Sequence, residues 1–162
     1  MTAPRIRPAT VDDLEELCRL RLAFLADLQH VDPGEFAPEF IDATRAFFVD
    51  TMAQGRVHSW LATDADSRNV GIVSVVIVDM PPRPQQLGAF EGYLINMYVA
   101  PEARSQGIGR SLLEVVLDAA DELGVRGFFL HHTPEGLPLY LSVGFTPDPR
   151  ILTRPNDGIP IV

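Results

Sequence analysis

The stretch Asn96-Met-Tyr-Val-Ala-Pro101-Glu-Ala-Arg104-Ser-Gln-Gly107-Ile-Gly109-Arg110 constrains the fold more than any other part of the chain. An apolar run stops at Pro101 and a turn rich in glycine and arginine follows. Leu112, Leu113, Val116, Leu117, Ala120 and Leu123 then recur at helical spacing. In a strand, tight turn and amphipathic helix in that order, the first N–H groups of the helix have no intrahelical partner and sit at its positive end. Such a corner accepts an anion, a phosphate or pyrophosphate foremost. Gly107 and Gly109 let backbone approach the ligand without Cβ clashes. Arg104 and Arg110 add guanidinium forks suited to phosphate oxygens. The competing reading is a purely structural turn flanked by surface arginines. Neither a Gly-x-Gly-x-x-Gly fingerprint nor a P-loop ending in Gly-Lys-Ser/Thr is present, so a nicotinamide or nucleoside-triphosphate ligand has no anchor.

The rest of the chain reads as alternating strands and helices. Residues 4–8 form a short strand, and Thr10 to Asp13 resembles a capping box that opens a helix to about Leu28. A loop with Asp32-Pro-Gly34 and Pro38 precedes a second helix from about Glu39 to Met52, whose expected buried stripe is Phe40, Ile41, Phe47, Phe48 and Met52. Strands are expected over 57–63, 70–79 and 92–99, with a polar turn at 64–69 and a Pro-rich loop at 81–88. Gly124 stops the helix behind the glycine turn. Residues 125–133 form a strand parallel to 92–99 through that helix. A short helix lies within 134–143, Gly144-Phe145 opens a last strand, and the tail with Pro147, Pro149, Pro155 and Pro160 is irregular.

The 162 residues suffice for one domain with a real core, over 1–162. No apolar run is long enough to span a bilayer and no basic, apolar leader is visible, which points to the cytoplasm. The chain has 13 Lys and Arg against 22 Asp and Glu, a formal charge of −9. That balance disfavours nucleic acid and anionic membranes as partners and favours cationic ones, amines included. Cys18, the single cysteine, rules out an intramolecular disulfide; among Leu14, Leu17, Leu22 and Leu25 it reads as a packed helical thiol. His131 and His132, as strand neighbours, point to opposite faces, so no metal site is expected. The sequence sets no oligomeric state, and a homodimer is compatible with it.

Val99-Ala-Pro-Glu-Ala-Arg104-Ser-Gln-Gly107-Ile-Gly109 followed by Leu112-Leu113 resembles the acetyl-CoA signature of the GCN5-related N-acetyltransferase (GNAT) superfamily. Leu130-His-His-Thr-Pro-Glu-Gly-Leu-Pro-Leu-Tyr140-Leu-Ser-Val-Gly144-Phe145 is similar to that superfamily's later Tyr-x-x-x-Gly-Phe motif, in the wording of a bacterial small-acceptor branch. The two motifs stand in the right order and cover residues 91–146. Ile6 to Leu14 matches the usual opening in style only. The resemblance implies a mixed α/β fold: a mostly antiparallel central sheet, flanked by helices, with a parallel strand pair splayed around the crossover helix. It implies acetyl-CoA as cosubstrate and an amine as acceptor.

Transfer from a thioester to an amine needs a deprotonated amine, donors for the carbonyl oxygen and a proton for the departing sulfur. By the resemblance, Tyr140 is the proton donor to sulfur. The backbone of Met97, Tyr98 and Val99 runs beside the pantetheine arm, and the N–H groups of Ser105, Gln106, Gly107, Ile108, Gly109 and Arg110 cradle the diphosphate. Arg104 and Thr133 join the cofactor side. Many relatives carry a glutamate base where this chain has Ile95. Glu91, earlier in the same segment, His132 and an ordered water chain are the open choices for the base. Glu35, Tyr93, Asn96 and His132 are the acceptor-side candidates, with Asp32 and Glu39 beside Glu35 in an acidic loop. The expected activity is direct acetyl transfer to a primary amine of a small molecule. The alternatives are a protein or peptide acceptor, or a non-catalytic acyl-CoA sensor.

Overall fold

A computed structural model describes residues 4–85 and 90–154. Residues 86–89 of the expected Pro-rich loop, and the tail from Pro155 with Pro160, lie outside the described residues.

The strands are β1 (Arg5–Pro8), β2 (Val57–Thr63), β3 (Asn69–Asp79), β4 (Phe90–Val99) and β5 (Val125–Leu130). They form one sheet in sequence order, antiparallel except for the parallel β4–β5 pair. The helices are α1 (Leu14–Gln29), α2 (Pro38–Ala53), α3 (Ile108–Asp118) and α4 (Leu137–Ser142). The turn before α1 forms the expected capping box: Asp13 accepts from the Thr10 N–H at 2.8 Å and takes both Nη groups of Arg7 at 2.6 and 2.8 Å.

One core layer lies between the sheet and α3 with α4, and contains Trp60, Val73, Val75, Leu94, Leu112, Leu113, Val116 and Tyr140. The other lies between the sheet and α1 with α2, and contains Leu17, Leu20, Phe48, Leu61, Ile72 and Tyr98. Each large side chain taken fully out of water contributes about 1.5–3 kcal/mol. Cys18 packs into the second layer, where burial pushes its thiol above the ordinary value.

Two departures from an ideal sheet open the structure in the middle of β4. Asn96 has φ 55°, and the β3–β4 register slips between Ile72 and Ser74. This bulge inverts the alternation of β4. Leu94 packs in the α3 layer, whereas Tyr98 packs in the α1 layer. On the other edge, β4 pairs with β5 only as far as Leu94 opposite Leu130, although β4 continues to Val99. β5 itself ends there, so the β4 edge from Ile95 to Val99 has no β5 partner.

Several expected boundaries move. α3 ends at Asp118 rather than Leu123, and turns carry the chain to Gly124, whose φ of 66° makes the stop. β5 ends at Leu130, short of Thr133. The strand expected from Gly144 is not formed among the described residues. Gly144 (φ 98°) closes α4 instead, and the N–H groups of Gly144 and Phe145 turn back to the carbonyls of Leu141 and Tyr140. Pro147 and Pro149 then have no N–H to give a ladder.

Candidate active site

The turn between β4 and α3 adopts left-handed conformations at Ser105 (φ 61°) and at Gly107 (φ 80°), which begins the helix without a side-chain cap. The first N–H engaged after the turn is that of Ser111, bonded to the Gly107 carbonyl at 3.0 Å. The N–H groups of residues 105–110 donate to no acceptor among the described residues. Gly109 is required for a different reason: a Cβ there would come within 3.2 Å of Leu139 Cδ2 and 3.3 Å of Met97 Cε, so the bare backbone lets α3 close onto β4 and α4.

These N–H groups open into a cleft of about 1400 Å³. Its floor is β4 from Tyr93 to Val99, its far wall is α1 and α2, and its near wall is the glycine turn with α4. Tyr140 projects from α4 into the near wall, packed edge-on against Phe145, and is 8% exposed. Its hydroxyl has no hydrogen-bond partner among the described residues, and burial pushes its pKa up to about 12. The phenol therefore holds its proton at every physiological pH. Giving that proton outright to a thiolate, with a thiol pKa near 8.5, would cost about 5 kcal/mol. A hydrogen bond donated to the sulfur carries no such penalty.

A family model described as the acetyltransferase (GNAT) domain matches residues 39–147. The chain belongs to the GNAT acetyltransferase family. A predicted acetyltransferase from Clostridium acetobutylicum, solved with acetyl-CoA, shares the fold with a TM-score of 0.81 at 22% identity, over 94% of this chain and 96% of its own. A GCN5-related N-acetyltransferase from Ralstonia eutropha JMP134 is similar over 96% of this chain and 100% of its own, with a TM-score of 0.76 and 27% identity. The D-amino-acid N-acetyltransferase HPA3 of Saccharomyces cerevisiae is 34% identical over 67 residues. That alignment spans 40% of this chain and 41% of the yeast protein.

Within this GNAT domain, Tyr93, Asn96, Met97, Tyr98, Val99, Arg104, Ser105, Gly107, Ile108, Gly109, Arg110, Thr133 and Tyr140 all line the one cleft. Gln106 does not; its side-chain amide turns back to the Glu102 carbonyl. Both expected phosphate arginines have protein partners. Arg104 donates Nε to the Val99 carbonyl at 2.9 Å, pairs with Asp27 of α1 and lies over the Tyr98 ring. Arg110 bonds Glu114 and the end of α4 at Ser142. The anion-attracting character of the turn thus comes from its backbone.

The remaining candidates are not brought to the cleft. Glu91 pairs with Val78 near the start of β4 and lines no part of it. Five strand residues of about 3.3 Å each, roughly 16 Å, separate it from the bulge at Asn96. His132 is exposed and bonded to the Thr133 carbonyl, while His131 lines the cleft, its Nδ1 2.9 Å from the Tyr93 hydroxyl. Because β5 ends before both histidines, strand alternation could not tell which one faces in. Asp32 and Glu35 cap each other's turn, with Asp32 accepting from Gly34 N–H and Glu35 from Asp32 N–H.

The sequence reading missed which side chains of α1 and α2 form the far wall. Phe40 and Phe47, expected to be buried, are 38% and 39% exposed and face the cleft, while Thr44 and Phe48 take the core positions. It also missed Arg21. This residue lines the cleft and donates Nη1 to Asn96 Oδ1 at 2.8 Å. Asn96 Nδ2 lies 3.4 Å from Ser74 Oγ, which bonds Ser59 Oγ at 2.7 Å, so a buried polar chain crosses the sheet beneath the bulge.

Proposed function

We propose that the chain transfers the acetyl group of acetyl-CoA to a primary amine of a small molecule by direct attack. The observation that carries this reading is the pairing, in one cleft, of the unengaged N–H groups of residues 105–110 with the unengaged hydroxyl of Tyr140. The fit to acetyl-CoA rests on the chain's own donors: N–H groups for a diphosphate, the edge of β4 that β5 leaves unpaired for an amide-bearing arm, and a phenol for sulfur. A structural neighbour solved with acetyl-CoA adds support, as does the yeast relative, whose name gives it small amine-bearing acceptors.

Acetyl-CoA, when bound, supplies the acyl group activated on sulfur. Residues 105–110 bind and orient it, together with Met97, Tyr98, Val99 and Thr133. The acceptor's ammonium loses one proton to solvent, the freed nitrogen bonds to the acyl carbon and sheds a second proton, and the carbon–sulfur bond breaks. Tyr140 meets the charge arriving on sulfur with a hydrogen bond, and the sulfur takes its final proton from water. The acids that line the cleft are Asp27, held by Arg104, and Glu135. Glu135, the Tyr93–His131 pair and water are the routes open to the amine's protons.

The test is a pair of measurements on the purified protein. Acetyl-CoA should raise the melting temperature, because a ligand of the native state stabilises it. A panel of small amines should then release free thiol. An unmoved melting temperature overturns the reading. A rise without thiol release from any amine leaves an acyl-CoA sensor in its place.

A further inference from the structure

Arg21, Arg104 and Arg110 line the cleft, and Arg21 alone among them has no carboxylate partner among the described residues. A guanidinium carries five N–H donors in a planar fork. Arg21 spends one on Asn96, and Nε and Nη2 have no protein acceptor among the described residues. It is half-buried against Phe24. A cation drawn partly out of water without a counter-charge is costly, and a chain with 22 acids has many ways to supply one. Holding Asn96 in its bulge needs a single donor, which leaves the rest of the fork unexplained by structure alone.

The position of Arg21 tells which ligand it serves. The turn that offers donors for a diphosphate meets α1 at Asp27, through Arg104. Arg21 lies six residues earlier on α1, about 9 Å along the helix. There it touches the β4 bulge, immediately before the Met97 to Val99 edge. Arg21 therefore addresses the acceptor end of the cleft rather than the diphosphate end. In the same cleft α2 presents the exposed rings of Phe40 and Phe47. A planar cation and an apolar wall within one cleft match a molecule with a carboxylate and an apolar side chain.

Building on the acyl-transfer reading, we propose that the acceptor is an apolar α-amino acid, its carboxylate gripped by Arg21 beside Asn96 and its side chain set against Phe40 and Phe47. The carboxylate and the amine of such a molecule are separated by a single carbon. An anchor at the bulge thus holds the nitrogen next to the strand edge where the acyl group would lie.

The decisive comparison uses phenylalanine, in both enantiomers, and phenethylamine, which has the same ring and amine but no carboxylate. With the intact protein and acetyl-CoA, kcat/KM for one enantiomer of phenylalanine should exceed that for phenethylamine at least tenfold. Arg21→Gln should lower kcat/KM for phenylalanine at least tenfold and bring the two amines together. Arg21→Lys should recover part of the preference. The acetyl-CoA-induced rise in melting temperature, read on each variant, reports folding and cofactor binding separately from acceptor choice. Equal turnover of the two amines, or an undiminished preference in Arg21→Gln, overturns the inference while acetyl transfer stands. Rejection of both amines by a protein that binds acetyl-CoA also overturns it. Calorimetric titration of phenylalanine against phenethylamine reads the grip without acetyl transfer. Equal affinities there sink the carboxylate site whatever becomes of acetyl-CoA.

Discussion

Arg21 of α1 and Asn96 of β4 meet across 2.8 Å, and this hydrogen bond ties the first helix to the bulge that opens the sheet. Asn96 needs such support. It adopts a left-handed conformation (φ 55°), which asparagine tolerates better than most residues, and its amide is buried between Arg21 and Ser74.

Asn96→Ala should destabilise the fold by about 1–3 kcal/mol, since it leaves the Ser74 hydroxyl and Arg21 short of a partner. It also puts a Cβ-bearing residue without a compensating side-chain contact at positive φ. Urea denaturation reads the loss. The same variant should raise KM for the acceptor amine more than KM for acetyl-CoA, because Arg21 is no longer held. Equal changes in the two would show that the bulge serves the whole cleft rather than its acceptor end.

Gly107→Ala isolates the backbone of the cofactor turn. A Cβ at this position meets nothing within 4 Å, so the substitution acts through the φ of 80° alone. The left-handed region costs an L-residue about 1–2 kcal/mol. Either the turn keeps its shape and the protein loses that stability, or it relaxes and the N–H groups of residues 105–110 no longer converge. Thermal melts with and without acetyl-CoA distinguish the two. In the first case the ligand-induced shift is preserved, and in the second it shrinks.

Asp13 gives a prediction about acid. Its bond to Arg7 is the main cause that holds its carboxyl down at about 2, with the Thr10 N–H assisting against the opposing cost of burial. In the unfolded chain the value is near 3.9. A depressed folded value means that this contribution is full above about pH 4 and is lost as pH falls toward 2. Asp13→Asn should cost about 1 kcal/mol at pH 7, as removal of a helix-entry cap does. Near pH 2 the variant and the parent should converge, a comparison that denaturant titrations at the two pH values make directly.

The parts of this protein that were legible in its sequence are those decided by short-range patterns. The 3.6-residue period after Gly109, the β-branched run at 70–79 and the capping residues at Asp13 and Gly124 placed the elements within a few residues of where they stand. The cleft was legible at its glycine turn for the same reason, because a turn between strand and helix is a local object. Its acceptor side was not. Arg21 sits in an alternating stretch of α1 where Arg19 is a neighbour of the same type, and only the sheet decides that Arg19 turns to Glu16 while Arg21 turns to Asn96. Phe40 and Phe47 have the spacing of a buried stripe, yet they line the cleft and stay exposed. Glu91 is near Ile95 along the chain, but an extended strand carries it out of reach, and no count of residue types reveals that distance.

Tyr140→Phe tests the chemistry most directly. The phenol oxygen makes no bond to the described protein, so its removal leaves the fold and the Phe145 contact nearly intact. Acetyl-CoA affinity should change by no more than a few-fold, while kcat falls by about 10²-fold, the lower end of the range for loss of one hydrogen-bond donor to a transition-state charge. Burial also fixes the alkaline behaviour. Because the folded value is raised to about 12 above an ordinary value near 10, the neutral phenol is present throughout the working range and loss of its proton cannot limit kcat below about pH 11. The same difference means that stability falls as pH rises from about 10 toward 12, where the unfolded chain ionises more readily than the buried phenol. The Phe variant should lack that decline. A kcat–pH profile in the parent that falls with an apparent pKa near 10, and that Tyr140→Phe abolishes, would mean the hydroxyl is wetter than its burial indicates and would remove the case for a shielded hydrogen-bond donor at sulfur.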